Sequence, residues 1–253
     1  MTVQKSGPLA GKVALVTGGG NGIGRATVMA LRNHGAKVAW TDILDSAPPG
    51  DSGQFAIRAD ATLEPDAART VEETLSTFGR LDIAVHNVGN FGAGDRWDAP
   101  LEDTALEAWN ATVCQCLTSC MLGMKYAIPA LRRSGGGAIV NIASLAGIRV
   151  TRFASPAYAA AKAGVVHLSQ HAAVTLAPEN VRVNVVAPGL TLTPNIESSM
   201  PPATRAAIAA EFQPMNRMMT TQEIAEAILW AASPASSGVT GLVIPVDGGW
   251  AAK

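Results

Sequence analysis

KVALVTGGGNGIG, residues 12–24, joins an apolar, β-branched run to a glycine-rich turn and then opens into a helical pattern. The run Lys12–Thr17 reads as a strand, and its near-continuous apolarity suits a parallel strand buried on both faces. Glycines at such a turn let the backbone approach a pyrophosphate, whose charge the following helix N-terminus favours. The common GxGxxG spacing fits no register of this segment. TGxxxGxG does fit, with Gly18, Gly22 and Gly24 in place and Asn21 and Ile23 between them. A tight turn without ligand is the plainer alternative, but the position between strand and helix favours a dinucleotide site.

Working outward, β-branched runs alternate with helical stretches. Strands are expected at Lys12–Thr17, Lys37–Asp42, Gln54–Ala59, Ile83–Asn87, Ala138–Ile142, Val181–Ala187 and Leu242–Val246. Helices are expected from Ile23 to Gly35, Glu64 to Phe78, Thr104 to Leu131, Ser155 to Leu176 and Thr221 to Ala232. Gly79 serves as a C-terminal glycine, and Pro129 should end or bend its helix. Repeated β–α–β order implies right-handed crossovers. The expected fold is α/β: a Rossmann-type, doubly wound sheet of about seven parallel strands with helices on both faces. No linker or repeat divides it, so residues 1–253 read as a single domain. Phe91–Leu101 and Asn195–Met219 look like insertions, and about 190–220 is expected to form a substrate lid. Leu44–Gly53, broken by Pro48, Pro49 and Gly50, reads as loop.

Composition narrows the function classes. Of 253 residues, 48% are hydrophobic and only 15% charged, with a net charge of −1. Disorder needs the opposite balance, and a nucleic-acid binder needs a basic surplus. Three cysteines make no disulfide framework, which points to a reducing, cytoplasmic setting. No N-terminal apolar stretch suggests a signal peptide. The longest uncharged run, between Glu226 and Asp247, is broken by Ser, Pro and Gly, so no membrane span is expected.

Two further patterns carry chemistry. Asp42 closes the second strand, eighteen positions beyond Gly24, where an acidic side chain can accept hydrogen bonds from an adenosine ribose. A 2′-phosphate there would meet like charge, which favours NAD over NADP. Tyr158 and Lys162 are spaced i,i+4 on a helix and so share a face. A phenol, with a reference pKa of about 10, is a poor base at neutral pH. A cation about 4 Å away contributes up to about 4 kcal/mol toward its ionisation before desolvation. Ser144 follows the fifth strand, at the carboxyl end where α/β sheets bind ligands.

With Asn87-Val88-Gly89 after the fourth strand, Asn184, the PGLTLTP run of residues 188–194 and the VDGG run of 246–249, the chain resembles the short-chain dehydrogenase/reductase family from about Leu9 to Gly249. The resemblance implies that Ser144 holds the substrate oxygen, Tyr158 is the acid/base, and Lys162 binds the nicotinamide ribose and eases the phenol's ionisation. It implies that Asp60 and Ala61 flank the adenine and that Asn87 and Gly89 line the cofactor. Thr191 and Thr193, after Pro188 and Gly189, would approach the carboxamide. The implied enzyme interconverts a secondary alcohol and a ketone with NAD(H). Its small-molecule substrate is expected to be moderately apolar. A cis-dihydrodiol dehydrogenase, an NADPH-dependent 3-oxoacyl reductase and a catalytically lapsed scaffold are the alternatives.

Departures from the family pattern sharpen the expectations. Many members carry an Asn seven positions after a Trp, supporting a proton relay to the lysine; counted from Trp109, that position is Cys116. A thiol is a weak hydrogen-bonding group, so slower proton exchange with intact hydride transfer is expected. Neither the three cysteines 114, 116 and 120 nor the pair His167 and His171 has a convincing metal-site pattern, so no metal is expected. The Ser144-to-Tyr158 spacing is slightly long, and the extra loop contains Arg149 and Arg152, which could meet a carboxylate. Phe91, Trp97 and the segment carrying Met200, Met215, Met218 and Met219 are the other expected pocket wall, lid packing being the alternative for them. Low charge density further suggests a homotetramer that buries part of the surface.

Overall fold

Seven short apolar runs pair side by side in the computed structural model, which describes residues 7–43 and 55–253. The chain begins with β1 (Val13–Thr17), α1 (Gly22–Asn33), β2 (Lys37–Asp42) and β3 (Phe55–Arg58). Next come α2 (Glu64–Phe78), β4 (Ile83–His86), α3 (Leu106–Val113), α4 (Ser119–Arg133) and β5 (Gly137–Ile142). After α5 (Pro156–Leu176) and β6 (Val181–Pro188), an excursion holds β7 (Thr191–Leu192), α6 (Pro194–Ser199), α7 (Pro202–Phe212) and β8 (Met219–Thr220). Finally, α8 (Thr221–Ala232) leads to β9 (Val243–Val246).

The main sheet has the order β3-β2-β1-β4-β5-β6-β9, with every pairing parallel. The expected Rossmann-type architecture is therefore present, and its strand order reverses between β1 and β4. Ligand crevices form at that reversal, beyond the strands' carboxyl ends. Side chains alternate between two cores, as strand geometry requires. Ala14, Val16, Val38, Trp40, Ile83 and Val85 face α1 and α8, meeting Leu31, Ile224 and Ile228. Leu15, Ala39, Ala84, Ile139 and Val183 face the other way, toward Val71, Ala127, Leu131, Val165 and Leu176 on α2, α4 and α5.

Local chemistry sets the element ends. Gly79 closes α2 at φ +79°, in the left-handed region that glycine enters at least cost. Ser155 caps α5, with Pro156 in its first turn, and Thr220 and Glu223 form a reciprocal capping box on α8. A small parallel pair, Thr191 with Met219 and Leu192 with Thr220, ties off the excursion. No helix among the described residues is long and apolar enough to cross a membrane.

Of the two outcomes expected at Pro129, an end or a bend, the helix does not end there, since α4 runs on to Arg133. Pro129 and Lys125, whose carbonyl loses its intrahelical partner, both lie on the exposed side. The expected single helix instead departs from α geometry at Cys114–Thr118, a π turn between α3 and α4. The third strand begins at Phe55; Gln54 and the expected loop Leu44–Gly53 lie outside the described residues.

Candidate active site

The turn after β1 is built around close backbone contacts. Gly18 and Gly22 adopt φ +64° and +53°. Gly24 has no room for a side chain: a Cβ there would stand 1.9 Å from the Gly18 carbonyl oxygen. The Asn21 side chain accepts the Gly22 N–H at 2.7 Å and caps α1. Asn87, just past β4, braces the turn from the other side. Its Nδ2 donates to the Gly18 carbonyl at 3.1 Å, and its N–H donates to Thr17 Oγ1 at 3.1 Å. Asp42, ending β2, accepts the Gly20 N–H at 3.0 Å. Asp60 holds its own turn, accepting from both the N–H and the hydroxyl of Thr62 at 2.9 and 2.7 Å.

A cavity of about 840 Å³ lies along this end of the sheet, a size suited to small-molecule sites. Gly18, Asn21, Gly22, Ile23, Asp42, Asp60, Ala61, Asn87 and Gly89 line one part of it. Ser144, Tyr158, Lys162, Pro188, Gly189, Thr191, Thr193, Phe91 and Met200 line the rest of the expected site. Gly24 stands behind the wall, where its missing Cβ lets the turn close.

Strand and helix ends position the three side chains expected to react. Ser144 follows β5, its Oγ accepting the Ala146 N–H at 3.2 Å. Tyr158 sits in the first turn of α5, its N–H donating to the capping Ser155 Oγ at 3.0 Å. Phe91 packs against its ring, with centroids 4.9 Å apart and planes at 47°. One turn on, Lys162 is 2% exposed. Its Nζ donates to the Ile142 carbonyl at 2.8 Å and lies 5.7 Å from the Tyr158 ring centroid. A Cβ on Gly89 would come within 2.6 Å of that Nζ. An ammonium carries three donors, so Lys162 retains capacity toward ligand hydroxyls. A dinucleotide fits this donor set and the side-chain-free turn beside it.

Cys116, at the position where the resemblance placed a relay residue, is a thiol engaged elsewhere. Cys116 Sγ donates to the Asn90 carbonyl at 3.3 Å. Burial pushes its pKa above the ordinary thiol range, although the Lys162 charge opposes the shift. Cys120 is pushed up to about 12 by burial. The π turn sends Cys114 and Gln115 to the cavity wall instead. In the orientation its neighbours favour, the Gln115 amide donates to the carbonyls of Asn90 and Phe91 at 3.1 and 3.2 Å. His86 stays buried behind the site, its Nδ1 2.7 Å from Asn141 Oδ1, and burial holds its pKa below the ordinary histidine range.

Arg149, Arg152 and Trp97, all expected in the pocket, lie outside the cavity wall. Arg149 donates to the carbonyls of Trp250 and Ala251 at 3.1 and 2.6 Å. Arg152 pairs with Glu211 and lies over the rings of Phe153 and Phe212. Trp97 stacks on Phe153 from outside, half exposed. Phe153 and Trp250 line the cavity in their place, beside the expected Met218, whereas Met215 and Met219 stay out of its wall. Trp250 arrives because Asp247 accepts the N–H groups of Gly249 and Ala251 and folds the last residues inward. The aspartate–glycine turn was visible in the sequence; the direction of the tryptophan was not. Among the described residues, no group of His, Cys, Asp and Glu is arranged to hold a metal.

Comparison with known proteins finds matches along nearly the whole chain. A family model described as enoyl-(acyl carrier protein) reductase matches residues 18–251. Cis-4-hydroxycyclohexanecarboxylate dehydrogenase of Sinomonas cyclohexanicum is 39% identical over 248 residues, covering 95% of this chain and 97% of that protein. Cyclohexanol dehydrogenase of Acinetobacter sp. (strain SE19) is 35% identical over 250 residues, covering 96% of each. Among solved structures, levodione reductase superposes with a TM-score of 0.87 at 32% identity, covering 96% of this chain and 99% of that one. These matches run nearly end to end over the same fold, and on that ground the chain belongs to the short-chain dehydrogenase/reductase family.

Proposed function

We propose that this enzyme oxidises a secondary alcohol on an uncharged, largely apolar ring, reversibly, with NAD as the hydride acceptor. The observation that carries the reading is one cavity holding Ser144, Tyr158 and Lys162 beside an apolar wall of Phe91, Phe153, Met200, Met218 and Trp250. Such a wall suits a hydrocarbon ring. Both relatives above are named for alcohols on a cyclohexane ring. One of those alcohols carries a carboxylate, whereas here Arg149 and Arg152 are bound to carbonyls and to Glu211. Among the described residues, Lys162 is the only Lys or Arg lining the cavity, so an uncharged ring is preferred.

Gly18, Asn21, Asn87 and Lys162 would hold the nicotinamide coenzyme, which would supply the acceptor for the hydride of the carbinol carbon. Ser144 Oγ steadies the substrate oxygen, and the Tyr158 oxygen takes the hydroxyl proton. Lys162 holds ribose hydroxyls and places a cation beside the ring that receives the proton. In the reverse direction Tyr158 returns the proton to a ketone. Residues 190–220 act as a lid, bringing Met200 and Met218 over the substrate. With a neutral thiol at position 116, proton exchange beyond Lys162 is slower than an amide relay would make it.

A panel of alcohols, assayed with NAD and NADP side by side, tests the reading. Cyclohexanol and its alkyl derivatives should turn over fastest with NAD, ahead of 4-hydroxycyclohexanecarboxylate. Faster oxidation of a cis-dihydrodiol favours the diol alternative, and no turnover of any member favours a lapsed scaffold. Asp42 supplies the coenzyme preference, since a 2′-phosphate beside a carboxylate is repelled. Asp42→Ser, which keeps an acceptor for the Gly20 N–H, should move the NADP-to-NAD ratio of kcat/KM by about 100-fold toward NADP. An unchanged ratio would contradict the role of Asp42. We further infer a homotetramer, because Met121 on α4 and Val174 on α5 stand exposed on a charge-poor chain. Light scattering should give four times the 26.0 kDa chain mass; a monomer contradicts it.

A further inference from the structure

Asp95 lies in the segment after β4 and outside the cavity wall, yet it is bound to both helices that flank the site. Its Oδ2 accepts from Thr112 Oγ1 at 2.7 Å and from Ser155 Oγ at 2.6 Å. Thr112 and Ser155 are both fully buried. Each hydroxyl also receives a backbone N–H. Thr112 Oγ1 accepts from Gly92 at 2.8 Å, and Ser155 Oγ accepts from Tyr158 at 3.0 Å. A carboxylate can only accept, so both hydroxyls must donate to it and turn their lone pairs elsewhere. The direction in which Ser155 receives the Tyr158 N–H is thereby set by Asp95. Through space the circuit closes, because Phe91, next to Gly92, packs on the Tyr158 ring.

We propose that Asp95 is a positioning residue for Tyr158. It ties the cap of the Tyr158 helix to the loop that carries Phe91, so that one carboxylate governs how the phenol is held from its backbone and from its ring face. This rests on the reading of Tyr158 as the group that exchanges the substrate proton. An ordinary helix cap would need only Ser155; the Thr112 and Gly92 branch is what links capping to the ring contact. Misplacement of a reacting group by about 1 Å can cost about 100-fold in rate, and turnover rather than coenzyme binding should bear the loss.

Asp95→Ala, Asp95→Asn, Ser155→Ala and the double variant Asp95→Ala/Ser155→Ala test this with cyclohexanol and NAD. In Asp95→Ala, kcat should fall about 30-fold, with the KM for NAD changed less than about twofold. Asp95→Asn keeps an acceptor oxygen and should return kcat to within about threefold of wild type. The double variant should be no worse than the poorer single one, because both break one circuit. Should Asp95→Ala melt below assay temperature, Asp95→Glu, which displaces the oxygens by one methylene, carries the same expected loss. Amide hydrogen exchange supplies a readout without turnover: segments 91–95 and 156–159 should lose protection together in Asp95→Ala and regain it in Asp95→Asn. Inactivity of the wild type toward every alcohol would refute the functional reading, while exchange would still decide the circuit. A kcat for Asp95→Ala within about threefold of wild type, additive losses, an Asn variant as impaired as Ala, or exchange altered in one segment alone overturns the proposal.

Discussion

Tyr158→Phe is expected to lower turnover by at least about 1,000-fold, within the range that a positioned acid/base supplies, while leaving NAD affinity within about twofold. The substitution removes one oxygen and keeps the ring. Phe91 can therefore still pack at its 4.9 Å spacing, and the Lys162 ammonium, held by the Ile142 carbonyl, still lies over an aromatic face. Helix capping is untouched as well, because Ser155 receives the backbone N–H of residue 158 rather than its side chain. Whatever turnover disappears is thus attributable to the phenolic oxygen. Stopped-flow and steady-state rates give the catalytic loss, and fluorescence titration with NADH gives the affinity. Turnover above about a tenth of wild type would remove Tyr158 from the chemistry.

Gly24→Ala should be the most damaging change in the glycine-rich turn. Its new methyl would sit 1.9 Å from the Gly18 carbonyl oxygen and 2.6 Å from Asn87 Nδ2. No side-chain rotamer relieves a clash with backbone, so the turn itself must move. Overpacking of this kind costs about 1–3 kcal/mol or more, which in a chain of this length lowers Tm by several degrees at about 2–4 °C per kcal/mol. The larger effect is expected on binding, because the displaced Gly18 and Asn87 line the cavity proposed to hold the coenzyme. NADH affinity should fall at least about 100-fold, since small misplacements in such a site are costly. Gly79→Ala is the control. It strains a left-handed φ of +79° with open space around it, far from the turn, and should lower Tm without altering affinity. Normal NADH binding by Gly24→Ala would show that the turn does not hold the dinucleotide as argued.

The fold, and the sharing of one helix face by Tyr158 and Lys162, were legible because they are encoded locally. Apolar runs such as VALV in β1 mark strands buried on both faces, and i,i+4 spacing alone places Tyr158 and Lys162 on one side of α5. Other features depend on partners distant in sequence. Arg149 looked available for a substrate carboxylate until the carbonyls of residues 250 and 251 proved to hold it. Arg152 is likewise claimed by Glu211 on α7. Nothing in a one-dimensional pattern signals that Trp250 turns into the cavity or that Asp95 meets Thr112 and Ser155. The π turn at Cys114–Thr118 leaves no compositional mark, since it changes backbone phase without requiring a particular residue. Pro129, a helix breaker by rule, is tolerated at an exposed position that leaves its orphaned carbonyl partner near water.

Direct transfer of a carbinol deuterium tests the central claim most simply. Cyclohexanol labelled with deuterium at the carbinol carbon would be incubated with the enzyme and either NAD or NADP, and the recovered coenzyme analysed by mass spectrometry and proton NMR. Deuterium should appear at the nicotinamide C4 position of NADH, from one face only, with far less in NADPH and none when Tyr158→Phe replaces the wild type. Unlabelled NADH, or no reduced coenzyme from any ring alcohol, would contradict hydride transfer from a ring alcohol in the Ser144, Tyr158 and Lys162 cavity.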